Sequence, residues 1–311
     1  MKVLIESGFD GKYVWLKDVG IQRFRRDGKS ISEEQMETLL QANAVLKGPL
    51  ETPKTDAGDY RSLTVELRKN LELFANLRPF KQPGMDTLVI RENTEDLYVS
   101  RERLTELGAV AEKEITRHAS LRIHNFAFDF AVKHERRRLT CVHKSNVLPL
   151  TDGLFLKTFW QVASKFKQLT ADEVTVDTCA YKLQKNPSEF DILVTPNMYG
   201  DILSDQLAGA LGSLGLCASM NLGMKHALFE PIHGTAPDIT GTGKANPIGA
   251  IVAASMMARH LGNSSAADNI EKAVQITLSQ GTYLTPDLGG NATCSQLTGR
   301  ILGNVKHVSS S

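Results

Sequence analysis

The chain has 311 residues, 41% of them hydrophobic and 23% charged, with 36 basic side chains against 35 acidic ones. That length builds one large domain or two ordinary ones with a real core. The near-neutral balance gives no field for nucleic acid or an anionic membrane, and the basic runs at 23–26 and 136–138 read as solvated faces. In chain order, helical periodicity covers 32–42, a short strand 44–46, a helix 63–74 and a strand 86–90. Residues 99–114 are polar and charge-mixed without a period, and read as an extension or arm. A helix at 116–134, a strand at 139–142, a helix at 155–166 and strands at 173–176 and 192–195 follow. Helices at 202–214, 247–260 and 266–278 complete the pattern, and three terminal serines should fray. Alternating β and α signals argue for an α/β fold with a largely parallel sheet.

The most informative stretch is Asn197-Met198-Tyr199-Gly200-Asp201-Ile202-Leu203-Ser204-Asp205. It sets two carboxylates four residues apart at the mouth of a helix, where an i, i+4 pair shares one face. Convergent carboxylates repel unless a proton or cation lies between them, which suits a hard divalent ion. The preceding Phe190-Asp191-Ile192-Leu193-Val194-Thr195 reads as a buried parallel strand that delivers the pair at its carboxyl end, where open α/β sheets bind ligands. Taken alone, the string also fits a capped helix start with solvated acids. No G-x-G-x-x-G follows a strand and no Walker loop is present. Gly209, Gly212 and Gly215 read as close-packing positions rather than a phosphate cradle. Cys141, Cys179, Cys217 and Cys294 show no CxxC pair or zinc spacing, and read as reduced, mostly buried thiols. With no signal peptide, and with 248–258 too short to cross a bilayer, the sequence reads as a soluble cytoplasmic protein.

Four segments resemble the metal-dependent β-decarboxylating dehydrogenases, the isocitrate, isopropylmalate and homoisocitrate dehydrogenase family. They are Arg91-Glu-Asn-Thr-Glu-Asp-Leu-Tyr98, His143-Lys144-Ser-Asn146, the Gly200 to Asp205 stretch, and His233-Gly-Thr-Ala-Pro-Asp-Ile239 with Lys244-Ala-Asn246-Pro247. The resemblance implies two α/β domains with a cleft between them and no classical Rossmann fingerprint. Residues 1–73 and 213–311 would form a discontinuous large cofactor-binding domain, and 74–212 a smaller domain for substrate, metal and dimerisation, with an arm near 97–127. It implies that Arg68, Arg78 and Arg91 hold the substrate's carboxylates, a task suited to guanidinium forks. It implies Mg²⁺ or Mn²⁺ on Asp177, Asp201 and Asp205, and Lys144 and Tyr98 as the acid/base pair, Lys144 relaying the hydroxyl proton and Tyr98 protonating the carbon left by CO₂. A homodimer with shared sites is implied, in which Lys144 and Asp177 serve the partner's site. For the cofactor, His233, Gly234, Thr235, Ala236 and Pro237 resemble the adenosine loop, with Thr52, Asn246 and Asp287 nearby. Asp238 and Ile239 stand where NADP-specific relatives tend to carry Lys and Tyr. An aspartate there accepts from a ribose 2′-hydroxyl and repels a 2′-phosphate, which points to NAD.

Ser62 and Thr64 lie near the substrate's variable group. The Thr64 hydroxyl fits a branched alkyl group poorly and so disfavours isopropylmalate. The run 96–99 leans toward homoisocitrate and 290–294 toward isocitrate, which is the first choice. Glu51 departs from the family, where many relatives carry Thr. So does the front of the chain, where a strand, a Gly-rich turn and part of a helix, roughly twenty residues by alignment, are expected upstream of Met1. The 311-residue form is therefore expected to expose strand edges and aggregate. A second class of function is a non-catalytic subunit of a larger assembly, but such subunits tend to lose the acids, the lysine or the tyrosine, all kept here. Asp201→Asn is expected to lower activity severely and leave the fold intact.

Overall fold

The structure, a computed structural model, describes every residue except 52–59, 61, 310 and 311. Thr52 lies outside the described residues, and of the terminal serines only Ser309 lies within them, as the last residue of a helix. The chain opens with helices α1 (Lys2–Glu6), α2 (Ile21–Asp27) and α3 (Glu33–Gln41), then strand β1 (Val45–Leu46) and helix α4 (Leu63–Asn70). Next come β2 (Ala75–Gln82), β3 (Met85–Glu92), the hairpin β4 (Glu102–Thr105) and β5 (Gly108–Ala111), and α5 (Arg117–Lys133). They are followed by β6 (Arg138–His143), α6 (Thr151–Ala163), β7 (Thr170–Thr175), α7 (Val176–Lys185), β8 (Ile192–Thr195) and α8 (Asn197–Ala210). The last stretch holds β9 (Ala218–Leu222), β10 (Ala227–Pro231), α9 (Ile248–His260), α10 (Ser264–Gln280) and α11 (Cys294–Ser309).

Two compact units result. One comprises Met1–Glu72, Gly212–Met220 and Met224–Ser311, the other Leu73–Leu211 with Asn221–Gly223. In the first, β1 pairs in parallel with β10, Val45 opposite Leu228 and Leu46 opposite Phe229. Helix α9 packs on β10, and α1, α10 and α11 gather around it. Local sequence sets several boundaries: Ser32 and Gln35 form a capping box on α3, and Asn263 caps α10 through the Ala266 amide.

In the second unit the strands run β2-β3-β8-β6-β7. Strand β2 is antiparallel to β3, whereas β3, β8, β6 and β7 are mutually parallel. All four residues of β8 are buried, as a strand covered on both faces requires, and α5 and α8 both pack on it. Helix α8 buries Tyr199, Leu203 and Leu207 along one face. Each of the two leucines contributes about 1.5–3 kcal/mol by leaving water. Residues 99–114 form an antiparallel hairpin whose strands are exposed throughout, so the expected arm is a two-stranded one.

Some expected boundaries need correction. Strand β2 was unforeseen because Pro79 interrupts its pattern; the proline sits at an exposed position, opposite Leu88. Val176 begins a helix rather than ending a strand. Helix α8 begins at Asn197, directly after Pro196, so Asp201 lies in its second turn and not at its mouth. The cysteines are free, with Cys141, Cys179 and Cys217 buried, and among the described residues no helix is long and apolar enough to cross a membrane.

Candidate active site

In the second unit, strands β2 and β3, the turn at 97–99 and helix α8 bring five of the expected residues together. Arg91, next to last in β3, is almost wholly buried, with its guanidinium Nη1 paired to Asp201 Oδ1 and its Nε donating to Asn197 Oδ1 at 2.9 Å. Arg78 on β2 is equally sheltered. It donates from Nε to Asn76 Oδ1 at 2.7 Å and from Nη1 to Ser204 Oγ at 2.6 Å, and lies 3.3 Å from Asp201 and 3.7 Å from Asp205. Tyr98 stacks beneath Arg91, whose Cζ is 5.0 Å from the ring centroid, and its hydroxyl donates to Asp201 Oδ2 at 2.5 Å. Asp201 thus meets two guanidinium groups and a phenol, while Asp205, one turn further along α8, is exposed and more thinly compensated.

The titration of these groups follows from that geometry. Burial raises the Asp205 carboxyl, Arg78 opposes the rise, and the Asp201 charge adds to it, leaving Asp205 above the usual carboxylate range. Burial also raises Tyr98; Arg91 pulls it down, but the hydrogen bond to Asp201 holds the proton on the phenol. Two carboxylate oxygens, one of them short of positive charge, form a donor set that fits a hard divalent cation. The buried guanidinium groups beside them fit substrate carboxylates.

Lys144 and Asp177 form a separate pair, with Lys144 Nζ 2.6 Å from Asp177 Oδ1, and the lysine holds that carboxyl at a pKa of about 2. Among the described residues no three His, Cys, Asp or Glu side chains gather to hold a metal, so within one chain Asp177 does not join Asp201 and Asp205. It is drawn to Lys144 at the start of α7 instead.

The first unit carries the remaining candidates. Ser62 precedes α4, Thr64 lies in its first turn, and Arg68 in its last turn sits 3.6 Å from buried Glu230, which also binds Lys47 Nζ at 2.7 Å. His233, Gly234, Thr235 and Ala236 follow β10 as an exposed loop, and Pro237–Ile239 form a single 3₁₀ turn that leaves Asp238 exposed. His233 bonds the Gly234 carbonyl through Nδ1, while its buried Nε2 has no hydrogen-bond partner among the described residues, a position a ligand group can satisfy. Asn246 donates to Asp287 Oδ2 at 3.0 Å and accepts from the Ile248 amide. Burial raises the Asp287 carboxyl, but hydrogen bonds from Ser213 and Asn246 help to outweigh it and leave it lowered. A Cβ on Gly215 would come within 2.7 Å of Asn246 Cβ and 3.0 Å of Asp287, so this pair needs a glycine beside it. Gly209 and Gly212 have open space around them, and only Gly215 of the three is a close-packing position.

With this geometry in place, the profile of the family described as isocitrate/isopropylmalate dehydrogenase matches residues 6–301. The chain belongs to that family. It is 44% identical to a protein named 3-isopropylmalate dehydrogenase from Methanothermobacter thermautotrophicus, covering 91% of this chain and 87% of that protein. It is 43% identical to one named isocitrate/homoisocitrate dehydrogenase from Thermus thermophilus, covering 98% and 93%. The crystal structure of isocitrate dehydrogenase from Methylococcus capsulatus superimposes with a TM-score of 0.93 at 36% identity, covering 98% of this chain and 94% of that one. The fold is therefore the α/β fold of the isocitrate/isopropylmalate dehydrogenase family, whose members are metal-dependent, oxidatively decarboxylating dehydrogenases.

Several supporting residues escaped the sequence reading: Asn76, Asn197 and Ser204 around the arginines, Ser213 on Asp287, and Lys47 with Glu230 at Arg68. Asn197 and Ser204 lay inside the family stretch already singled out, and the rest carry no sequence signal. Gly200 also has a role that helix propensity hides. Its Cβ would lie 2.7 Å from Arg91 Cγ and 2.8 Å from Arg91 Cβ, and would also strike the Thr195 hydroxyl. Gly→Ala inside a helix ordinarily gains about 1 kcal/mol. Here Arg91 Cβ is fixed by its strand, so overpacking wins, and Gly200→Ala should destabilise by about 1–3 kcal/mol. Thermal unfolding checks the sign: a raised Tm would mean that Arg91 moves aside freely.

Proposed function

We propose that the protein catalyses NAD-dependent oxidative decarboxylation of isocitrate to 2-oxoglutarate and CO₂, with homoisocitrate as the second reading. The observation that carries it is the cluster of Arg78, Arg91, Tyr98, Asp201 and Asp205, which sets carboxylate-binding forks, a protonated phenol and a cation-seeking acid pair around one point. Homoisocitrate is kept because a relative over nearly the whole chain is named for both substrates. The Thr64 hydroxyl argues against the branched alkyl group of isopropylmalate, although one similar relative bears that name.

Bound NAD would accept the substrate's hydride, and Mg²⁺ or Mn²⁺ on Asp201, Asp205 and a partner's Asp177 residue would polarise the alcohol and carry enolate charge. In this reading Arg78 and Arg91 anchor substrate carboxylates with guanidinium groups already fixed by Asn76, Asn197 and Ser204, so little ordering entropy is lost on binding. The Lys144 amine takes the hydroxyl proton as the carbonyl forms. After CO₂ leaves, Tyr98 delivers its phenolic proton to the carbon that held the carboxylate. A homodimer with shared sites supplies Lys144 and Asp177 from the second copy. Arg68, with Ser62 and Thr64 on the same helix, selects the third substituent.

For the cofactor, Thr52 and the loop His233, Gly234, Thr235, Ala236, Pro237, Asp238 and Ile239 would hold the dinucleotide, with Asn246 and Asp287 toward the base. The unpartnered His233 Nε2 supports that placement. Asp238 exposes its carboxylate where a 2′-phosphate would be repelled, so NAD should exceed NADP by on the order of a hundredfold in kcat/KM. Initial rates with Mg²⁺ on isocitrate, homoisocitrate and 3-isopropylmalate, each with NAD and NADP, test both statements. Faster turnover of 3-isopropylmalate overturns the substrate reading, and equal rates with NADP overturn the cofactor one.

A further inference from the structure

Beneath this cluster lies an ionic arrangement that the reaction itself does not use. Asp96 and Asp152 are both fully buried, and among the described residues one ammonium group pairs with both: Lys113 Nζ is 2.6 Å from Asp152 Oδ1 and 3.6 Å from Asp96 Oδ1. That ammonium also sits 4.4 Å from the centroid of the Tyr199 ring, which closes it off from water. The second oxygen of each carboxylate is committed to a backbone amide. Asp96 Oδ2 accepts from the Met198 amide at 2.8 Å, at the start of α8, which carries Asp201 and Asp205. Asp152 Oδ2 accepts from the Lys144 amide at 2.7 Å. A single lysine therefore joins the helix of the acid pair to the backbone of the candidate proton carrier. Asp96 also holds φ 71° and ψ −150°, a conformation that favours glycine, so its carboxylate is kept against backbone strain.

We propose that Lys113 is a positioning residue, its bridge between Asp96 and Asp152 fixing the start of α8 and the turn at Lys144 in one relative placement; the catalytic part of this inference rests on the dehydrogenase reading above. Without the ammonium, two buried carboxylates face each other uncompensated, and at least one takes up a proton or turns away from its amide. Either response loosens an amide whose partner it holds. The bridge lies just past the exposed hairpin, where the chain re-enters the unit between β5 and α5.

The test uses the full chain with Lys113→Met and Lys113→Arg, reading steady-state kinetics with isocitrate, NAD and Mg²⁺ together with site-resolved amide hydrogen exchange. Lys113→Met should lower kcat by on the order of tenfold or more while KM for substrate and the Mg²⁺ requirement stay within about twofold, the mark of a loss felt in the transition state. Exchange at the Lys144 and Met198 amides should quicken by at least about tenfold, with amides inside α5 such as Phe128 unchanged. Lys113→Arg, which keeps the charge, should recover most of both losses. Wild-type kcat and unaltered protection at both amides in Lys113→Met would overturn the proposal. So would a uniform loss of protection across the unit, because that marks a merely structural role. If the wild type turns over none of the three substrates, the function reading falls, while the exchange at Lys144 and Met198 still decides the bridge.

Discussion

Asp201→Asn should lower kcat by on the order of a thousandfold, as loss of a carboxylate ligand removes several kcal/mol of charge stabilisation in the transition state. Asp201 is also the counter-charge of Arg91, whose side chain is only 2% exposed, and it accepts the Tyr98 proton. The substitution keeps an acceptor oxygen but removes the charge, so stability falls while the fold is kept. Asp201 is 38% exposed and water screens part of the loss, which leaves a cost of about 1–2 kcal/mol. A lowered Tm should therefore accompany the lost turnover, with the fold itself retained. Activity titrated against Mg²⁺ and a thermal melt check the two halves. Near wild-type rates at limiting Mg²⁺ would show that the acid pair holds no metal.

Lys144→Met should lower kcat by about a hundredfold to ten-thousandfold, the range for removal of a general acid–base group. Stability should hardly change, because the Lys144 side chain is one-quarter exposed and its partner Asp177 is more exposed still. The Asp177 carboxyl, held at about 2 by that lysine, should move back up toward the ordinary range, which NMR titration can follow without any turnover. Shared sites add a sharper consequence. A hybrid of one Lys144→Met subunit and one Asp201→Asn subunit retains a single site with every group intact. Statistical mixing of the two inactive variants should then restore about a quarter of wild-type activity. No recovery would place Lys144 and Asp201 in the same chain's site.

Much of this protein was legible in its sequence. Strand β8 shows as a run of β-branched and apolar residues because a strand buried on both faces tolerates nothing else. Helices α3, α5 and α10 announce themselves by capping residues at Ser32, Thr116 and Asn263 and by their apolar period. The candidate carboxylates and arginines stand in segments whose order identifies the family. The strand and helix signals are local, fixed by propensity and spacing, whereas the roles of the carboxylates and arginines are what the family resemblance implies. What the tertiary structure decided is how charges far apart in sequence neutralise one another. That Asp201 answers Arg91 and Tyr98, that Glu230 takes Arg68, and that Asp177 turns to Lys144 follow from strand register and helix placement, which no spacing encodes. The helix expected at 202–214 leaves Gly200 just outside it. Only the packing of α8 on β3 shows that it lies within the helix, where a larger residue would push Arg91 out of place. Lys113 carries no motif at all: its part is set by two carboxylates seventeen residues before it and thirty-nine after it, buried where one ammonium must serve both.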